Sequence, residues 1–223
     1  MRPLNSLLAA SVLLSGCNGM PVQSIKEPVQ DQAFVVHSGG PLALLLMGSA
    51  VQWNEDYAVT VKHLPYVSGS EYQGRGDVQF FRHKARAGAP QWRNFRPGEA
   101  LTAVGYNGLY MRTEGHGQAL PALVRLDAHD GGVLYGTHDG RTVKGMSGGP
   151  VLATDGTVVG INVANLDKGD LRSIKRADLA GHEQVSIFLP YVQIQREWQR
   201  FVNQQARLKG VPNPIGLPIA SAH

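Results

Sequence analysis

Ser147 lies in Gly145-Met146-Ser147-Gly148-Gly149-Pro150, where glycines bracket a hydroxyl on both sides. A serine hydroxyl becomes an effective nucleophile only when a base takes its proton and fixed backbone N–H groups receive the charge developing on the attacked carbonyl oxygen. Glycines on both sides permit the close backbone approach that this needs. The candidate base is His63, which ends the β-rich run Asp56-Tyr57-Ala58-Val59-Thr60-Val61-Lys62. Asp77 follows the turn Gly74-Arg75-Gly76 and precedes the apolar run Val78-Gln79-Phe80-Phe81, which makes it the candidate acid. Together these three types support acyl transfer: the histidine accepts the serine proton and returns it to the leaving group, while the carboxylate holds the imidazole tautomer.

The elements that must position them read as β-structure. Short β-branched runs separated by glycine turns recur along the chain, no repeat of 20 to 50 residues is visible, and a hairpin is expected around Asp155-Gly156. Because Pro150 and this hairpin follow the serine, the reading of Gly145-x-Ser147-x-Gly149 as an esterase's nucleophile elbow, with His182 or His223 as base, is disfavoured: that elbow needs a helix directly after the serine. A second Ser-Gly-Gly-Pro at Ser38 to Pro41 lacks the glycine two residues before its serine and reads as a turn. One helix is expected, over about 191–208, from Val192, Trp198, Phe201, Val202 and Leu208 at near-helical spacing between Pro190 and Gly210. Residues 211–223 hold three prolines and read as an irregular tail.

With these residues in view, the chain resembles the trypsin-like serine peptidases, especially their disulfide-free bacterial branch. The resemblance spans about residues 33–205. It rests on the order of Gly48-Ser49-Ala50-Val51, Val59-Thr60-Val61-Lys62-His63, Gly76-Asp77-Val78, Val104-Gly105-Tyr106, Gly145-Met146-Ser147-Gly148-Gly149-Pro150, Gly160-Ile161-Asn162 and Ser186-Ile187-Phe188-Leu189-Pro190. The interval from His63 to Asp77 is short for that family, so the connecting loop is expected to be trimmed. The implied fold is all-β: two six-stranded antiparallel barrels of the chymotrypsin type, over about 33–110 and 111–189 within a peptidase domain at 33–210, followed by the C-terminal helix.

The resemblance also implies a serine endopeptidase with His63, Asp77 and Ser147 as a triad, an oxyanion hole from the N–H groups of Gly145 and Ser147, and a substrate site from Arg141, Thr142, Asn162, Val163 and Ala164. Met146 stands where trypsin-type zymogens carry an aspartate that pairs with a new N-terminus, so that activation switch is not expected. Arg141 stands where trypsin-like members carry an acid that captures basic side chains. A basic P1 residue is therefore not supported, and small apolar and acidic P1 residues stay open. A catalytically silent binding module of the same fold is the alternative, with an esterase behind it.

The N-terminus has a single early charge, Arg2, then the apolar run Leu7 to Leu14 and Ser15-Gly16-Cys17. This run is too short to cross a bilayer and reads as a signal peptide over 1–16. Leu14-Ser15-Gly16-Cys17 resembles the bacterial lipobox, which implies a lipid on Cys17, a tether over 17–32, and attachment to the outer membrane facing the periplasm, since Asn18 follows the cysteine. Cys17 is the only cysteine, so an intramolecular disulfide is excluded. A formal charge of +4, from 21 basic and 17 acidic residues, is too small to argue for nucleic acid, and the basic stretch Arg82, Lys84, Arg86, Arg93 and Arg96 reads as a solvated surface. The eight histidines show no paired metal-ligand spacing, so neither a metal nor another cofactor is expected; a protein or peptide substrate and a membrane surface are the expected partners.

Overall fold

Runs such as Tyr57-Ala58-Val59-Thr60 and Gln79-Phe80-Phe81-Arg82 put β-branched and aromatic side chains on a pleated, half-buried surface, and they pair antiparallel with Tyr57 opposite Arg82 and Thr60 opposite Gln79. A computed structural model describes residues 22–23, 33–39, 46–126, 132–173, 176–179 and 181–210. The proposed signal peptide, Cys17, most of the tether, residues 211–223 and His223 lie outside the described residues.

A two-residue strand β1 (Val22–Gln23) comes first; the N-terminal half then contains β2 (Phe34–His37), β3 (Met47–Gln52), β4 (Tyr57–Thr60), β5 (Ser70–Gln73) and β6 (Gln79–Arg82). These last five form a sheet in the order β2-β3-β4-β6-β5. The C-terminal half contains β7 (Ala100–Tyr106), β8 (Arg112–Val124), β9 (Tyr135–His138), β10 (Pro150–Ala153), β11 (Val158–Asp167) and β12 (Gln184–Pro190). Their order β8-β7-β10-β11-β12-β9 is closed by pairing of β9 with β8, so this half is a six-stranded barrel. β1 pairs with the start of β8, Val22 opposite Glu114, while β9 takes its later part from Ala119 to Val124.

Three features of the fold refine the expectations. The N-terminal half is a five-stranded sheet whose outer strands do not pair along their length among the described residues, although Ser38, just after β2, bridges antiparallel to Val67, just before β5, and Gly39 N–H donates to the Tyr66 carbonyl at 2.8 Å. The boundary between the halves falls between Arg82 and Ala100, not near residue 110, because β7 folds back on β8 as a hairpin, from Tyr106 opposite Arg112 to Ala100 opposite Gln118. Asn107 makes that turn, its Oδ1 accepting the N–H groups of Leu109 at 2.9 Å and Met111 at 3.1 Å. Finally, Val22–Gln23, within the stretch read as tether, is part of a sheet. A short helix α1 (Lys168–Ser173) and a 3₁₀ turn (Ala177–Leu179) were not anticipated; Asp167 starts α1 by accepting the N–H groups of Gly169 and Asp170 at 2.7 and 3.0 Å.

The C-terminal helix α2 runs Tyr191–Leu208 and packs on the N-terminal sheet rather than on the barrel alone. Trp198 meets Tyr57 and Phe80 edge-on with ring centroids 5.1 Å away, and Phe201 meets Tyr57, Tyr72 and Phe80. Full burial of a ring such as Phe80 contributes roughly 1.5–3 kcal/mol, so this aromatic cluster fastens the end of the chain to its first half. Leu208, expected in the apolar stripe, is 74% exposed, while Ile194 and Glu197 are buried. One core cluster joins Val51, Val59 and Phe80 to Ile161, Ile187, Leu189 and Ile194 across the two halves. No helix among the described residues is long and apolar enough to cross a membrane.

Candidate active site

His63 sits in the turn that follows β4, and Asp77 in the turn between β5 and β6. The two residues are in direct contact. Asp77 Oδ2 lies 2.5 Å from His63 Nδ1, and Asp77 Oδ1 accepts the backbone N–H of His63 at 2.8 Å. One carboxylate thus fixes both the ring and the backbone of the same histidine. The His63 side chain is 52% exposed and that of Asp77 16% exposed, so the ring faces solvent while its partner is covered. Asp77 is held in turn by Tyr135 of β9, whose hydroxyl oxygen accepts the Asp77 N–H at 3.0 Å.

Ser147 lies in the turn between β9 and β10, and the glycines around it are demanded by geometry. Gly145 has φ +98° and Gly148 φ +85°, in the left-handed region that favours glycine. A Cβ at Gly148 would also collide with the Ser49 carbonyl and the Thr60 hydroxyl of the N-terminal sheet. Ser49 fastens the two halves together. Its N–H donates to the Ser147 carbonyl at 2.8 Å, and its hydroxyl donates to the Gly145 carbonyl at 2.8 Å while accepting the Tyr106 N–H at 2.9 Å. The N–H groups of Gly145 and Ser147 have no acceptor among the described residues. They are two donors on one tight turn, as an oxyanion site requires.

The Ser147 hydroxyl donates to the Val163 carbonyl at 3.3 Å rather than to His63. Asp77 and His63 are thus in contact, while the Ser147 hydroxyl is engaged by the Val163 carbonyl. Beside it opens a cleft of about 240 Å³. Of the residues expected there, Thr142, Asn162, Val163 and Ala164 line it, together with Val143, Lys144, Met146 and Asn165, which the sequence reading had not singled out for that role. Arg141 does not line it. Its backbone carbonyl packs so closely on Gly115 of β8 that a Cβ there would collide with it. Its charge acts on the Glu183 side, where Glu183 is held below the ordinary carboxylate value first by its hydrogen bond and charge pairing with Lys168, then by Arg141. Met146 is fully buried and its sulfur accepts the Val143 N–H at 3.3 Å, so an apolar side chain supports the turn from inside.

Neighbouring features have structural explanations. Ser38 is buried and donates to the Pro65 carbonyl at 2.6 Å. A strand, β10, follows Ser147, and His182 lines a different depression beside α1. A larger hollow of about 580 Å³ on α2, lined by Arg200, Asn203, Gln204, Arg207 and Leu208, holds no nucleophile. In the basic stretch, Arg82 pairs with Glu71 at 2.5 Å and Arg93 with Glu99 at 2.7 Å and Asp155 at 3.1 Å. Among the described residues no three of His, Cys, Asp and Glu converge as metal ligands.

Residues 70–161 match the family model of the trypsin-like peptidase domain, a stretch that contains Asp77 and Ser147 and begins after His63. Solved structures resemble the chain over most of its length. The active form of the Rv3671c protease from M. tuberculosis has TM-score 0.58 at 15% identity, covering 84% of this chain and 84% of that one. The HtrA-type protease AlgW with a tripeptide has TM-score 0.62 at 15% identity, covering 86% of this chain and 73% of that one. The serine endoprotease from Yersinia pestis has TM-score 0.57 at 16% identity, covering 78% of this chain and 64% of that one. No curated protein matches the sequence significantly. The structural likeness shows a shared fold, mostly β with one closed six-stranded barrel, a second sheet and a C-terminal helix, consistent with the chymotrypsin type, and the family match supports a trypsin-like serine peptidase.

Proposed function

We propose that the protein is a serine endopeptidase that cleaves peptide bonds through an acyl-enzyme, with Ser147 as nucleophile, His63 as general base and acid, and Asp77 as the group that orients and stabilises the imidazolium. The observation that carries this reading is the double grip of Asp77 on His63, at 2.5 and 2.8 Å, beside a glycine turn with two N–H groups that no described residue accepts.

For reaction, the Ser147 hydroxyl leaves the Val163 carbonyl by rotation about its Cα–Cβ bond and donates to His63 Nε2 instead. Its oxygen attacks the scissile carbonyl as the proton passes to His63, and the carbonyl oxygen takes its charge between the N–H groups of Gly145 and Ser147. Collapse returns the proton to the leaving amine, and water repeats the sequence to release the acid. A bulge supports substrate pairing: β11 and β12 pair Asn162 with Phe188 and Ala164 with Ile187, which leaves Val163 out of the ladder. An extended substrate can align along that backbone. The cleft carries Lys144 and no carboxylate, which disfavours a basic P1 residue and keeps small apolar and acidic ones compatible.

The orientation of the Ser147 hydroxyl favours a second reading, a silent binding module of the same fold. A fluorophosphonate probe separates them. Labelling of the wild type and Ser38→Ala but not Ser147→Ala, read by intact mass, is expected. No labelling of folded wild-type protein would instead leave the binding module. We further propose that Cys17 carries a lipid that holds the domain at the outer membrane, facing the periplasm. Incorporation of a palmitate analogue into the full chain and its loss in Cys17→Ser is the expected outcome, and equal incorporation in both would refute the anchor.

A further inference from the structure

Glu197 is a carboxylate on an otherwise apolar face. It lies on α2 within one turn of Trp198 and Phe201 and is 3% exposed. A charge so placed is tolerated only when its oxygens are fully engaged. Its Oε1 pairs with Arg200 of the next helical turn. Its Oε2 reaches across to the N-terminal half, accepting the Tyr72 hydroxyl at 2.9 Å and the backbone N–H of Arg75 at 3.0 Å. Tyr72 stays a protonated donor, since burial first, then its hydrogen bond to Glu197 and the Glu197 charge, push its pKa up to about 12. The contact is direct enough that a Cβ on Gly74 would lie 2.8 Å from Glu197 Oε2.

Arg75 stands two residues before Asp77, inside the turn that presents the acid. Gly74 N–H donates to the Val78 carbonyl at 2.9 Å across the base of this turn, while Glu197 holds Arg75 and Tyr135 holds Asp77. From these contacts we infer that Glu197 is a positioning residue: from the C-terminal helix it fixes the Arg75 peptide and so sets where the Asp77 carboxylate meets His63. Its consequence for catalysis rests on the proposed triad; its consequence for the His63–Asp77 contact does not. Charge compensation inside a helix would not require reaching a turn 122 residues earlier in the chain.

Two readouts test the inference on the full folded domain: the downfield ¹H signal of the proton on His63 Nδ1, and kcat and KM on a peptide substrate. Glu197→Ala is expected to lose or strongly shift the Nδ1 proton and lower kcat about 10- to 100-fold, the scale of a small misplacement of a reacting group, with KM changed less than about twofold. Glu197→Gln, which keeps an oxygen acceptor for Tyr72 and Arg75, is expected to restore both. Phe201→Leu loosens the same helix through packing alone and is expected to lower the melting midpoint without moving either readout. Should Glu197→Ala not fold, Glu197→Asp withdraws the carboxylate by one methylene and is expected to give the same signature at smaller size. An unchanged Nδ1 proton in Glu197→Ala or Glu197→Asp, or an equal shift in Phe201→Leu, overturns the inference. Because the proton signal needs no turnover, failure of Ser147 labelling would sink the peptidase reading while leaving this test intact.

Discussion

In the N-terminal sheet the Asp77 carboxylate already grips both the ring and the backbone of His63, whereas in the C-terminal barrel the Ser147 hydroxyl is turned to the Val163 carbonyl. Each half is nevertheless held by the other. Ser49 and Thr60 of the first half enclose the Ser147 turn, and Tyr135 and Glu197 of the second enclose the Asp77 turn. The difference teaches that His63 and Asp77 form one contact within the first half, while the position of Ser147 is set at the seam between two sheets. Their buried polar groups differ as well. In the first half, Gln79 donates to the Val61 and Leu64 carbonyls and Gln52 to those of Asn54 and His83. In the barrel, both ring nitrogens of His138 and the Asn162 Oδ1 are buried without partners among the described residues.

The largest effect is expected from breaking the seam at Ser49. Ser49→Ala removes the hydroxyl that joins the Gly145 carbonyl to the Tyr106 N–H and leaves both buried groups unpaired, at a cost of roughly 2–4 kcal/mol in stability. The rate of fluorophosphonate labelling should fall about 10²-fold through misplacement of the Gly145 peptide. Denaturant unfolding and labelling kinetics measured on the same sample check both numbers. A labelling rate within about twofold of wild type would mean that the serine turn supports itself and the halves are independent.

A smaller effect sharpens the contrast in buried polarity. Burial lowers the pKa of His138 from 6.5 to about 4, against a weaker opposing influence of Asp139. The fold therefore keeps the ring neutral where the unfolded chain protonates it. Stability from this group is intact above pH 6.5 and is lost progressively between 6.5 and 4, reaching about 3 kcal/mol by pH 4. Unfolding free energies of wild type and His138→Leu should run parallel above pH 7 and diverge below 6.5, with the wild type losing more. Parallel curves down to pH 4 would place the acid sensitivity in other groups.

The candidate residues were legible in the sequence because their signals are local. Gly145 and Gly148 mark backbone angles that only a glycine adopts easily, and the β-run ending at His63 and the turn before Asp77 follow from neighbouring residues. Helix α2 was legible from spacing, yet the same spacing places Glu197 on no expected apolar stripe. Its burial depends on Tyr72 and Arg75, more than a hundred residues away. The family resemblance implies that Arg141 lines the cleft, but it does not do so in the structure, where its backbone carbonyl lies against Gly115 of β8.

By itself, then, the sequence determined which chemical groups are present, their order, and the strands and turns that carry them, since these depend on backbone preferences within a few residues. Which sheet β7 joins, which residues line the cleft, and where the Ser147 hydroxyl points were decided only by tertiary structure. Those outcomes arise from hydrogen bonds and close packing between segments distant in the chain, which no local pattern encodes.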